Sequence, residues 1–209
     1  MTDEREINAE RINIVDREGR VRLALFNPDR MPDWQVGGVT YPGRQKSLPI
    51  AGLMFYDGDG NECGGLIYTS GAEGGRHTQF LSLTFDAHQQ DQTVQLISTD
   101  EDGRRRYGLQ FFDRPERSFA EDLVGVNAVR GMPEGPEKDA AWARVLEGHV
   151  ARAFFGRQQD GTAEMVLHDA SGHPRLRMAV GLEGEPVVEF LEAGGRVTYR
   201  LPPDSTDPG

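Results

Sequence analysis

Residues 165–202, MVLHDASGHPRLRMAVGLEGEPVVEFLEAGGRVTYRLP, repeat one short phrase. The phrase is an alternating apolar run, an acid, two residues, a glycine and another alternating run. Alternation with period two is the pattern of a half-buried strand. Aspartate suits the first position of a type I turn, where its carboxylate accepts backbone N–H groups. Glycine then takes the left-handed conformation that closes the hairpin with a bulge. The phrase recurs upstream. Its acid and glycine fall at Asp16 and Gly19, Asp57 and Gly60, Asp100 and Gly103, Asp169 and Gly172, and Glu192 and Gly195. Gln158 with Gly161 and Gly181 with Gly184 are weaker copies. These acids therefore belong to turns and are not read as catalytic carboxylates.

Late turns stand 11 or 12 residues apart, which leaves about eight residues per strand. Ten to twelve strands are expected in all. Strand after strand joined by tight turns is an antiparallel meander. Closing it into a β-barrel would remove two sticky edges. The expected fold class is thus all-β, one domain over residues 1–209, with hairpins closed into a barrel and helices only between 118 and 148. SFAEDLVG carries a capping box, Ser118 with Glu121, and is expected to stop at Gly125. PEKDAAWARVLEG starts with Pro136 at the first helical position and stops at Gly148. Its apolar stripe, Ala141, Trp142, Val145 and Leu146, is expected to lie against the barrel. Residues 28–49 read as a long insertion loop and 203–209 as a flexible tail.

The 209-residue chain has 23 Lys and Arg against 34 Asp and Glu, a formal net charge of −11. Such a balance repels nucleic acid and anionic membranes. The arginines 104–106 run against it, but neighbouring acids bring the local sum near zero. Mean hydropathy is −0.57, which suits strands with one wet face. One cysteine, Cys63, excludes an internal disulfide and reads as a small buried hydrophobe. The acidic opening MTDEREINAE is no signal or transit peptide, and no apolar run reaches the roughly 20 residues of a membrane helix. A soluble, cytoplasmic protein is expected.

Three segments are candidates for a site. The 28–49 loop holds Trp34, Tyr41 and Arg44, aromatics beside a cation that suit a ligand under a lid, or packing over a barrel end. NECGGLIY, residues 61–68, with the Gly-rich loop 70–77, is the second; Asp57, Asp59 and Asn61 stand at one-three-five spacing, but Glu62 and Tyr68 break the calcium-loop pattern, and no helix follows the glycines to cradle a phosphate. FDAHQQDQTVQL, residues 85–96, lacks the turn glycine and carries His88 with Asp91, an acid–base pair if they meet. Arg106 is the cation available to an anionic headgroup. No spacing fits zinc, a P-loop, a dinucleotide fold or a nucleophile elbow. No cofactor, metal or catalytic residue is assigned.

The repeats INIVDREG, LMFYDGDG and LHDASGHPRLRM, with LEAGGRVTYRLP at the end, resemble the uncharacterised β-flower proteins, shallow barrels with hairpin petals. Their shape is similar to Tubby-type and scramblase-type barrels. The resemblance implies binding of a small hydrophobic or lipid-like ligand in an oily interior and carries over no residue; the candidate ligand-binding set, read from the segments above, is Trp34, Tyr41, Arg44, His88 and Arg106. An enzyme with a loop-borne site at one barrel end is the alternative. A protein-interaction or self-assembly module is a third, and the oligomeric state stays open.

Overall fold

A computed structural model describes residues 6–42 and 49–202. Arg44 and the 203–209 tail lie outside the described residues. The hairpin phrases form strands in chain order. These are β1 (Arg11–Val15), β2 (Val21–Phe26), β3 (Trp34–Val36), β4 (Val39–Tyr41), β5 (Ala51–Tyr56), β6 (Glu62–Glu73), β7 (Arg76–Asp86), β8 (Gln92–Glu101) and β9 (Arg104–Asp113). Two helices follow, α1 (Phe119–Arg130) and α2 (Pro136–Val145). The chain then returns to strands β10 (Val150–Arg157), β11 (Ala163–His168), β12 (Pro174–Val180), β13 (Pro186–Leu191) and β14 (Val197–Leu201).

Twelve of the strands make one antiparallel meander, ordered β1-β2-β5-β6-β7-β8-β9-β10-β11-β12-β13-β14. The meander is as expected; the barrel is not. β1 and β14 are the two ends of an open sheet and do not pair with each other. The covered face is closed over its buried residues by the β3–β4 hairpin and the helices and is crossed by paired polar side chains, so its burial does not require β1 to meet β14.

The turn chemistry holds in detail. At Asp16, Asp57, Asp169 and Glu192 the acid's N–H donates to the carbonyl four residues on, and the glycine N–H donates back to the acid's carbonyl. Each of these glycines has φ between 81° and 84°. A register shift accompanies each, at Ile14/Val15, Met54/Tyr56, Leu167/His168 and Phe190/Leu191. One copy differs. Glu101 pairs with Arg104, so the β8–β9 turn has two residues, Asp102 and Gly103, both at positive φ. Asp100 still accepts from Gly103 N at 2.7 Å.

The 28–49 segment is not simply a loop. It holds a 3₁₀ turn capped by Asn27 and a small hairpin, β3–β4, in which Trp34 pairs with Tyr41. Gly37 and Gly38 turn it at φ 61° and 73°, the two-residue geometry that a right-twisted hairpin needs. α1 has the expected capping box but runs on through Gly125. A Cβ there would stand 2.9 Å from Val145 Cγ2, so this glycine admits α2 instead of ending α1. α2 packs its Val145 on α1, and Leu146 beyond it stays exposed.

Candidate functional site

Directly paired residues of an antiparallel sheet share a face. Following the registers from β1 to β14 therefore sorts every side chain. One face carries Ile12, Leu25, Leu53, Leu66, Leu83, Leu96, Leu109, Phe155, Met165, Met178, Val188 and Leu201 in a single cross-strand row. It is the open face. Seventeen large apolar side chains on it are 36–64% exposed, among them Phe85, Leu96, Tyr107, Phe111, Phe155 and Tyr199. Two apolar hollows indent it. One of about 570 Å³ lies over Ile12, Leu25, Leu66 and Tyr68; the other, of about 370 Å³, lies over Phe155, Met165, Met178 and Val188.

The opposite face is covered. Every buried side chain of the twelve strands is on it, including Ala24, Phe26, Met54, Ser82, Gln95, Phe154, Val166, Ala179 and Glu189. Gly108 and Gly156 are cross-strand partners; a Cβ on them would stand 2.5 Å from Phe155 O and 2.1 Å from Tyr107 O. The Phe154 ring fills the space over both, and the Arg106 guanidinium lies 4.5 Å from its centre.

Across this covered face runs a polar ladder. Ser82 Oγ accepts from Gln95 Nε2, Gln95 Oε1 from Gln110 Nε2, and Gln110 Oε1 from Arg106 Nη2, at 2.9, 2.9 and 2.7 Å. Arg106 Nε also donates to Gln158 Oε1, whose Nε2 donates to Glu164. Arg177 bridges Glu164 and Glu189 at 2.7 and 3.0 Å, and Arg200 stands 3.7 Å from Glu189. Hydrogen bonding to Glu164 first, and then to Glu189, holds the Arg177 guanidinium above its ordinary pKa. Arg106 is thus one rung of an internal network.

Nothing in family models, curated proteins or solved structures matches the chain. The β-flower resemblance rests on the turn motif.

The remaining sequence candidates gather at the other end of the covered face. Trp34 of β3 meets Phe119 of α1 edge to face, centroids 6.5 Å apart. Both line a cavity of about 200 Å³ over Met54, Ile67, Ser82 and Gln95. The β3–β4 flap is held down by Asn61, whose Oδ1 accepts from Gly37 N and whose Nδ2 donates to Asp57 at 2.8 Å. Tyr41 is Trp34's cross-strand partner but does not line the cavity. The expected His88–Asp91 pair is not formed. His88 is exposed and turns to Asp57, Nδ1 to Oδ2 3.4 Å, while Asp91 faces Arg114 at 3.7 Å. Burial pushes the Asp57 carboxyl up, but bonds from Asn61 and Asp59 outweigh it, so it sits below the ordinary 3.8. In the turn without a glycine, Ala87 N–H donates to Asp91 O and Gln90 N–H to Ala87 O, and the positive φ, 53°, falls at Gln89, one residue before the repeat's glycine position.

Sequence reading missed a buried cluster at the α1 start. Asp122 accepts from Arg117 Nε at 2.6 Å and lies 2.9 Å from His149 Nε2; Arg114 Nη1 reaches His149 Nδ1 at 2.9 Å. Arginine only donates, so Nδ1 is the lone-pair nitrogen and Nε2–H donates to Asp122. The cluster ties α1 to the sheet. Burial pushes the Cys63 thiol up, and Asp57 and Asp86 push the same way, which leaves little thiolate for chemistry. Among the described residues no group of three His, Cys, Asp or Glu is placed to hold a metal, and no helix is long and apolar enough to cross a membrane.

Proposed function

We propose that the protein is a non-catalytic assembly module, working as a homodimer in which two copies meet through their open sheet faces. The carrying observation is the single-sided apolar face. Seventeen half-exposed large side chains, at roughly 100 Å² each for aromatic and aliphatic groups, amount to on the order of 1,500 Å². A monomer's largest apolar patch is roughly 300–600 Å². Two such faces together bury about 3,000 Å², within the range of permanent homodimers. Two apolar sheet faces pack naturally about 10 Å apart.

A second copy suits this face better than a membrane does. The chain carries −11, and β11–β14 have only 6, 7, 6 and 5 residues, shorter than the roughly 9–11 residues of a spanning strand. The polar ladder on the covered face also favours assembly over capture of an oily molecule inside the sheet.

Sedimentation equilibrium at 1–100 μM tests the reading. Wild type is expected to be a dimer, and Leu96→Glu with Phe111→Glu a folded monomer, because both side chains are already exposed within one chain. A monomeric wild type overturns the proposal, and so does a double variant that stays dimeric. A wild-type monomer that floats with phosphatidylcholine vesicles would assign the face to lipid instead.

A further inference from the structure

We infer that the helical insertion between β9 and β10 is a hinged lid. It opens as one body and uncovers the cavity beneath the β3–β4 flap while the meander stays folded. This inference stands apart from the dimer, since the cavity lies on the covered face.

The insertion leaves and rejoins the sheet at one place. Asp113, the last residue of β9, pairs with Val150, the first of β10, so the ladder is continuous behind it. The two linkers touch each other there. A Cβ on Gly148, which has φ +83°, would stand 2.9 Å from Pro115 Cβ. Beyond this pivot the insertion packs on itself. Gly125 of α1 makes room for Val145 of α2. Arg117 holds both helices, donating Nε to Asp122 and Nη2 to Val145 O, each at 2.6 Å. Among the described residues no strand runs alongside either helix.

The seam between lid and sheet leaves each charge with a partner on its own side. On the sheet side, Arg114 donates Nε to Gln92 O at 2.6 Å and Nη1 to His149 Nδ1 at 2.9 Å, and it lies 3.7 Å from Asp91. On the lid side, Asp122 holds Arg117. Across the seam run His149 Nε2–H to Asp122 at 2.9 Å and Phe119 N–H to Gln89 O at 2.8 Å. The Gln90 amide also crosses, donating to Pro115 O and Arg117 O, as does the edge-to-face contact of Phe119 with Trp34. Parting a buried ion pair strands a charge and is strongly unfavourable. Here Asp122 leaves with Arg117, and Arg114 stays with Gln92, Asp91 and His149. A unit held by hydrogen bonds and one ring contact opens more readily than a long strand ladder. Phe119 lines the cavity and travels with α1, so opening removes that wall.

Hydrogen exchange of the full chain at pH 7, read by mass spectrometry, tests the lid. In wild type, amides of residues 119–146 are expected to exchange about tenfold or more faster than those of β6–β9. His149→Phe removes the donor to Asp122 and leaves both arginines their other partners. It should speed 119–146 by a further factor of about ten or more and leave β6–β9 unchanged. The chain has two tryptophans, so in a Trp142→Phe background Trp34 reports alone. There, His149→Phe should raise acrylamide quenching of Trp34 by about twofold or more. One common exchange rate for insertion and meander in wild type, equal acceleration of both in the variant, or unchanged quenching would overturn the inference. Should the variant not fold, the wild-type rates alone decide. Sedimentation of the same samples keeps the outcome separate from the dimer's.

Discussion

Arg177→Met tests whether the polar ladder is a structural beam of the covered face. Arg177 is the cation between two carboxylates whose side chains are 9% and 12% exposed, while its own is 33% exposed. Removing it leaves Glu164 with Gln158 at 2.6 Å and Glu189 with Arg200 at 3.7 Å. Breaking a fully buried pair costs about 3–5 kcal/mol; an exposed pair is worth about 0–1. A guanidinium one-third exposed belongs between these limits, so about 2 kcal/mol is expected. For a chain of this length that lowers Tm by about 4–8 °C. Methionine keeps most of the stem's packing, so the loss reports charge and not volume. The reasoning has a sharper arm. Adding Glu164→Gln and Glu189→Gln removes the stranded carboxylates, and the triple variant should recover at least about 1 kcal/mol relative to Arg177→Met alone. Urea unfolding followed by far-UV circular dichroism measures both. If Arg177→Met lies within 0.5 kcal/mol of wild type, or the triple variant is less stable than the single, the ladder is decoration and the argument is wrong.

The turns offer a local contrast. Gly195 has φ +82° with nothing within 4 Å of a new Cβ, whereas its neighbour Gly194 lies outside the left-handed region; Gly195→Ala should cost about 1 kcal/mol and Gly194→Ala less than about 0.5, by urea midpoint. Acid should act through the same turns. Burial raises the carboxyls of Asp16, Asp57 and Asp169, but their turn N–H donors and nearby side chains more than offset it, and each ends below 3.8. Folded values below unfolded ones give stability that is complete above about pH 4 and is lost as pH falls through the folded values. The unfolding midpoint should therefore be flat between pH 7 and 5 and drop below about pH 4; a midpoint that rises on acidification would contradict the sign.

Much of the meander was legible because its information is local. An acid and a glycine three apart set a turn whatever the rest of the chain does, and the alternation between turns sets strands. Even the copy without glycine keeps the turn's two backbone hydrogen bonds, Ala87 N–H to Asp91 O and Gln90 N–H to Ala87 O, with the left-handed residue moved to Gln89. The β3–β4 flap was also written locally, as WQVGGVTY, symmetric about its glycine pair, but three-residue strands are too short for periodicity to mark. Gly125 reads as a helix stop, yet α1 runs five residues further to Arg130, and only the close approach of Val145 explains the glycine.

Which face looks inward is a different kind of fact. It depends on the curl of twelve strands and on where the flap and helices land, none of which a turn specifies. The default, apolar inward, follows from the hydrophobic effect in a closed monomer. The sequence nonetheless carried a counter-signal. Five strands hold one polar residue between two apolar ones at the same phase: Val94-Gln95-Leu96, Leu109-Gln110-Phe111, Ala163-Glu164-Met165, Leu176-Arg177-Met178 and Val188-Glu189-Phe190. Once the hairpin registers are laid side by side, these polar residues fall on one face and find each other. A lone strand cannot say whether such a residue faces water; five in phase, with complementary charge and amide groups, specify a network. With that face internally satisfied, the apolar face is the one left over. Gln95, Arg106 and Arg177 find their partners within the covered face, and the exposed apolar row opposite is the surface left for a second copy.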